Sequence, residues 1–215
     1  MIQHHPQAEI LRRYAIGALN PALALVVACH VEGCEGCGAK VAVWESLGGA
    51  LLKSASTVPL AADALDRTIA RITAAPLPHR EQVPDFLNRF SLPVALRFQA
   101  FGVRRWVSPR IWVAPVRVQK ASPPARTYLI WARPGTAIPT HAHRGAEFTV
   151  ALHGSFQEDG NIYDAGDFAH SKEGDVASPI VTAHGDCLCL VGAEAPMRLF
   201  SVVTRAVQFL SGTVY

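Results

Sequence analysis

The sequence has no long hydrophobic run. Stretches such as Ala22 to Ala28 fall far short of the ~20 apolar residues that a membrane-spanning helix needs. Excess charge of either sign is also missing: 20 Lys and Arg face 17 Asp and Glu, for a formal charge of +3 with neutral histidines. Over residues 1–75 the balance is even, with Arg12, Arg13, Lys40, Lys53, Arg67 and Arg71 against Glu9, Glu32, Glu35, Glu45, Asp63 and Asp66. An uncharged balance argues against a phosphate-binding surface, so no direct nucleic-acid partner and no membrane partner is expected. The start, Gln3-His4-His5, shows no basic segment followed by an apolar one, so no signal peptide is read and a cytoplasmic protein is expected. Repeats and low-complexity tracts are absent. What is present is apolar: 50% of the 215 residues are hydrophobic and 17% charged, which excludes a disordered or collagenous chain. The cysteines, 29, 34, 37, 187 and 189, are odd in number and fall in two clusters, a poor disulfide framework and a better metal or redox pattern.

The texture changes near residue 75. Before it come four helical segments. Glu9 to Leu19 is the first, and Asn20-Pro21 then supplies an N-cap and a proline at the first helical position for a second that runs to about Glu32. A third starts near Cys34 and carries Val41, Trp44, Leu47 and Leu51 at helical spacing, and a fourth carries Leu65, Ile69 and Ile72. Such a small helical unit commonly needs a metal or a partner to stabilise it. Ala75-Pro76-Leu77-Pro78 and Pro84 read as a Pro-rich linker over 76–95. Beyond it, short β-prone runs at 110–118, 127–133, 147–152, 161–163, 187–191 and 199–204 predict an antiparallel barrel or jelly roll over 96–215. The fold class expected is α + β in two domains, helical over 1–75 and all-β after the linker.

His30-Val31-Glu32-Gly33-Cys34-Glu35-Gly36-Cys37 places HxxxCxxC across the junction of the second and third helices. His30 and Cys34 fall one turn apart, and CxxC at a helix start lets two thiolates converge on one tetrahedral ion. His5 or His4 is available for the fourth position if the chain start packs back. A redox pair is the weaker reading, because a thioredoxin-like CxxC follows a strand and none precedes this one. Cys29, next to the apolar stretch Leu25 to Ala28, reads as a core residue.

The second constellation is Gly135, five residues, His141-Ala142-His143, three residues, Glu147, six residues, Gly154. On a strand His141 and His143 share a face, and Glu147 keeps that parity across a turn at Arg144-Gly145. Two imidazoles and a carboxylate suit Zn, Fe, Mn or Ni. This string matches every fixed position of the first cupin motif. In the second motif Gly166 and Gly174 stand at its glycine positions, but Lys172 replaces the proline and Ala177 replaces the histidine that serves as fourth ligand. His170 is a possible compensating ligand from the preceding strand, of opposite parity. A three-ligand site completed by water and an empty site both stay open. Cys187 and Cys189 alternate on one strand face and read as buried thiols.

A His…HxxxCxxC helical unit followed by a Pro-rich linker and a single cupin resembles the ChrR family of zinc-binding anti-sigma factors. The likeness covers nearly the whole chain, including Tyr14-Ala15, Gly17, Leu25-Val26-Val27-Ala28, Gly48-Gly49, Ala165-Gly166-Asp167, Asp186-Cys187, Cys189-Leu190 and Ala195-Pro196. The resemblance implies zinc on His5, His30, Cys34 and Cys37, and zinc or another divalent metal on His141, His143 and Glu147. It also implies an extracytoplasmic-function sigma factor as partner, gripped by the helical domain and released on an oxidative, singlet-oxygen-like signal through the cupin. The alternative from the residues is a cupin metalloenzyme, dioxygenase-like, with the helices as a docking or oligomerisation unit.

Overall fold

A computed structural model describes residues 1–75, 82–119 and 125–200 of the chain. Helix α1 (Ala8–Ala15) is followed by α2 (Pro21–Gly33), where the Asn20 side chain accepts from the Ala22 N–H and Pro21 opens the first turn. Cys34 breaks the chain at an extended φ/ψ and separates α2 from α3 (Glu35–Ser54). Helix α4 (Ala64–Ala74) completes the four that the apolar spacing predicts. A single 3-10 turn, Asp85–Leu87, and the short α5 (Val94–Arg97) lead into the sheets.

The strands are β1 (Ala100–Phe101), β2 (Arg105–Ser108), β3 (Ile111–Arg117), β4 (Arg126–Ala132), β5 (His141–Ala142), β6 (Glu147–His153) and β7 (Ser155–Glu158). They continue with β8 (Asn161–Asp164), β9 (Phe168–Ser171), β10 (Val176–Ala177), β11 (Ile180–Val181), β12 (Cys187–Ala193) and β13 (Arg198–Leu199). All their pairings are antiparallel. The main sheet runs β1-β3-β4-β12-β6-β9 with β2 on β3, and two three-stranded sheets, β10-β5-β13 and β11-β7-β8, complete the barrel. Strands β3, β4, β6, β8 and β12 fall on five of the six β-prone runs. Of the sixth, 199–204, only the first two residues lie within the described part of the chain. Strands of two residues, such as β5 and β10, are too short to show an alternation.

Strand β12 is buried at every position, so its sequence Cys-Leu-Cys-Leu-Val-Gly-Ala shows no polar alternation. One face, Cys187, Cys189 and Val191, joins the barrel interior, while Leu188 and Leu190 turn outward to a second core shared with the helices. Helix α2 lies on that outer face. It supplies Leu23, Leu25, Val26, Val27 and Cys29 to one continuous core with Leu129, Phe148, Val150, Leu188 and Leu190. This explains why α2 is apolar all round: the sheet covers one side and α1 and α3 the other. Gly192 permits the contact, since a Cβ there would come within 2.4 Å of the Ala22 carbonyl oxygen. The described part of the Pro-rich segment also packs, burying Leu87, Phe90 and Leu92, and Glu32 at the end of α2 accepts from the Val94 and Ala95 N–H groups at the start of α5.

The far half of the helical region is different. Val41 is buried, but Val43, Trp44, Leu47, Leu51 and Leu52 of α3 are exposed, and α4 has no buried residue. No single helix among the described residues is long and apolar enough to cross a membrane; α2 and α3 pass together only as a pair bent by 117°.

Candidate metal centres

Four donors converge where the chain start meets the α2–α3 junction. His30 comes from the last turn of α2, Cys34 from the break, Cys37 from the first turn of α3 and His5 from the extended segment before α1. Their ligand atoms lie within 4.8 Å of one another. His5 Nδ1 is 3.4 Å from Cys34 Sγ and 3.6 Å from Cys37 Sγ, and His30 Nε2 is 3.4 Å from Cys37 Sγ. A tetrahedral ion with Zn–S of ~2.3 Å and Zn–N of ~2.05 Å sets S···N edges of about 3.6 Å, so these distances are those of ligands sharing one ion. The donor set therefore fits zinc. Burial and the neighbouring Cys34 push the Cys37 thiol up to about 11, so a cation is what would hold it as thiolate.

The supports of this cluster come from the barrel. His30 Nδ1–H donates to the Gly166 carbonyl at 2.8 Å, which fixes the tautomer and leaves the Nε2 lone pair toward the thiols. Burial lowers the His30 pKa and outweighs the opposing pull of that carbonyl, so the ring is neutral. The next residue, Asp167, is 1% exposed and anchors the segment that carries His5. Its Oδ1 accepts from Gln3 N–H at 2.6 Å and His4 N–H at 2.9 Å, and its Oδ2 from Asp164 N–H at 2.9 Å and from His4 Nδ1 at 3.2 Å. The Phe168 N–H donates back to the His4 carbonyl at 3.0 Å. His4 is thereby committed to Asp167 and His5 faces the thiols, a division that spacing left open. Burial raises the Asp167 pKa, but the hydrogen bonds from His4, Asp164 and Gln3 outweigh it and hold the carboxyl below the ordinary aspartate range. Cys29 stands apart in the core, where burial pushes its thiol up to about 12.

In the barrel, the structure brings together His141 and His143 with Glu147 of β6, all buried and with ligand atoms within 4.8 Å of one another. His141 Nδ1–H donates to the Pro139 carbonyl at 2.9 Å, which turns Nε2 inward. His143 Nδ1 lies 3.6 Å from a Glu147 carboxylate oxygen, while its Nε2 is buried with no hydrogen-bond partner. An orphaned ring nitrogen beside a second free imidazole lone pair and a carboxylate fits a divalent ion. Burial opposes a charge on His143, but Glu147, Glu158 and Asp175 together raise its pKa; burial lowers that of His141.

Ala177 on β10 pairs directly with His141 on β5, so the position of the absent fourth ligand is open cavity wall. His170 does not replace it. It pairs with Phe148 and lies edge-on to that ring at 5.0 Å, on the outer face of the sheet. Cys187 and Cys189 line the cavity with sulfurs 3.5 Å apart, as free thiols. The cavity measures about 70 Å³, far below the several hundred Å³ of ordinary substrate pockets. Three residues have roles that the sequence motifs did not assign to them. Asp167 and Gly166 act only through tertiary contact, and Glu158, at the end of β7, carries a carboxylate into the cavity wall from a hairpin whose Asp159-Gly160 signals nothing but a turn.

Residues 98–196 match the family model of the ChrR cupin-like domain. Over 217 aligned positions the chain is 30% identical to the anti-sigma-E factor ChrR of Cereibacter sphaeroides, covering 96% of this chain and 97% of that protein. The chain belongs to the ChrR family of anti-sigma factors. Its fold is similar to a chain in the crystal structure of Rhodobacter sphaeroides SigE in complex with the anti-sigma ChrR, with a TM-score of 0.71, 28% identity, and coverage of 90% of this chain and 100% of that one. As a ChrR-family protein it is a non-enzymatic regulator with an N-terminal His/Cys cluster able to bind a metal. The cupin part of this ChrR-family chain keeps three of four expected donors.

Proposed function

We propose that this protein sequesters an extracytoplasmic-function sigma factor on the outer half of α3 and on α4, in the cytoplasm, and frees it when the barrel responds to an oxidative signal such as singlet oxygen. The observation that carries the reading is the uncovered apolar stripe. Trp44, Leu47 and Leu51 repeat at helical spacing on α3, and Leu65, Ile69 and Ile72 do so on α4, all of them exposed. A helix with such a stripe and no buried side chain is not stable by itself and calls for a protein surface to cover it. The even charge balance of residues 1–75 suits that kind of partner.

On this reading residues 1–75 grip the sigma factor, and the cupin over 96–215 senses. Zinc on His5, His30, Cys34 and Cys37 would supply a fixed crosslink between the chain start and the α2–α3 junction. The chain's own residues do the coupling. Asp167 holds Gln3 and His4, Gly166 holds His30, and both stand in one loop of the barrel. A shift of that loop displaces two of the four donors of the helical cluster together. A hundredfold loss of sigma affinity requires about 2.7 kcal/mol of differential binding, within reach of one broken charge-assisted network.

The test is co-purification with each extracytoplasmic-function sigma factor of the source organism. The wild-type chain should retain one stoichiometrically, and Leu47→Asp with Ile69→Asp should weaken retention at least a hundredfold with an unchanged melting curve. Retention by that double variant would remove the α3–α4 face from the interface. Failure of the wild type to retain any such factor would overturn the partner. Illumination of the complex with a photosensitiser should then release the sigma factor, and no release would reject the signal.

A further inference from the structure

The barrel has Ala177 where the fourth metal donor is expected and holds one buried carboxylate oxygen without a hydrogen-bond partner, and both line the same cavity. We propose that Glu158 replaces the absent histidine at position 177, so that this cupin binds its divalent ion through His141, His143, Glu147 and Glu158. The inference rests on the reading that the barrel holds a metal, and it names a ligand outside the cupin motifs.

Glu158 ends β7, and its side chain enters the lining that also contains His141, His143, Glu147 and Ala177. Its Oε1 is buried and has no hydrogen-bond partner, and within the same cavity so is His143 Nε2. Buried polar atoms left unpaired are rare and costly, and a cation between two in one small cavity satisfies both. Ala177, opposite His141 in the strand register, leaves free the space that an imidazole would fill. Glu158 stands outside the three-residue set whose ligand atoms lie within 4.8 Å of one another, so it reaches the ion by rotating its side chain into the space above Ala177. Two carboxylates and two neutral imidazoles balance the charge of a dication. They also make the donor set harder than one with three imidazoles, which raises the standing of Mn²⁺ and Fe²⁺ against Zn²⁺.

The experiment uses the full-length protein, stripped of metal and titrated with Co²⁺, with metal content, the visible d–d spectrum and thermal melting as readouts. Wild type should bind two ions per chain and His141→Ala one, which establishes a barrel site by itself. Glu158→Gln, equal in size, should weaken the barrel ion at least thirtyfold and change its spectrum while leaving the helical ion and the apo melting curve unchanged. Adding Ala177→His to Glu158→Gln should restore tight binding with a spectrum of higher nitrogen content and lower Mn²⁺ relative to Zn²⁺ affinity. A merely structural carboxylate would give no such rescue. Unchanged barrel affinity and spectrum in Glu158→Gln would overturn the ligand while leaving the barrel metal standing. A wild type that binds one ion, unaffected by His141→Ala, would remove the barrel metal and the proposal together.

Discussion

The two donor clusters are built in opposite ways. The helical one draws its four donors from the chain start, the end of α2, the break at Cys34 and the start of α3. The barrel one draws three donors from seven consecutive residues, 141–147. The first is complete in donors yet rests on supports from elsewhere, since Gly166 orients His30 and Asp167 anchors the segment bearing His5. The second is self-supporting, with His141 held by the neighbouring Pro139 carbonyl and His143 by Glu147, but its own stretch of chain supplies only three donors. A site assembled from distant segments reports on their relative position; one built on a single stretch reports on what enters its cavity. That contrast suits a readout at the helices and a detector in the barrel.

Cys37→Ser should separate the clusters most sharply. It removes a thiolate from the helical set and should abolish that ion, weaken sigma retention more than a hundredfold, and leave the barrel ion in place. Metal analysis with a parallel retention assay reads all three. Equal loss of both ions would show one cooperative unit in place of two sites.

Asp167→Asn strikes the support without touching a donor. Weakening four hydrogen bonds to a buried carboxylate should cost about 2–4 kcal/mol in urea denaturation. The helical ion should bind more weakly and the barrel ion should not change. The pH dependence has a definite sign. The folded carboxyl titrates below the ~3.9 of an unfolded aspartate, so its stabilisation is present in full well above that value and fades as pH falls through the lower, folded one. Wild type should therefore lose stability on acidification through that window, and Asp167→Asn should lose less. An identical acid limb in the two proteins would place the support elsewhere.

Gly192→Ala tests the seam between the regions. Its Cβ would meet the Ala22 carbonyl oxygen at 2.4 Å, backbone that cannot rotate away, so α2 must lift off the sheet. A destabilisation of about 1–3 kcal/mol is expected by thermal melting, with faster amide exchange in α2 than in β4. An unchanged melt would mean that the helix rides loosely on the barrel.

Local spacing carried much of this in advance. His30, Cys34 and Cys37 sit within two turns of a helix junction, and His141, His143 and Glu147 obey strand parity, so covalent geometry alone brings each trio near one point. The four helices were legible from Asn20-Pro21 and the apolar repeats, and the longer strands from their β-branched runs. The two-residue strands and the four-residue β2, β7 and β9 were not, because a period needs more residues than they have.

Charge balance, the two metal-type motifs and their order along the chain were determined by the sequence by itself. The tertiary structure alone decided that His5 and not His4 faces the thiols, since the choice depends on where Asp167 waits more than 160 residues away. It also decided that His170 turns to Phe148, that Glu158 enters the cavity, and that the stripe on α3 stays open while the apolar α2 is covered. The physical reason is common to all four. A side chain's direction follows from the backbone beneath it, but what it meets there depends on segments whose separation in sequence carries no record of their distance in space.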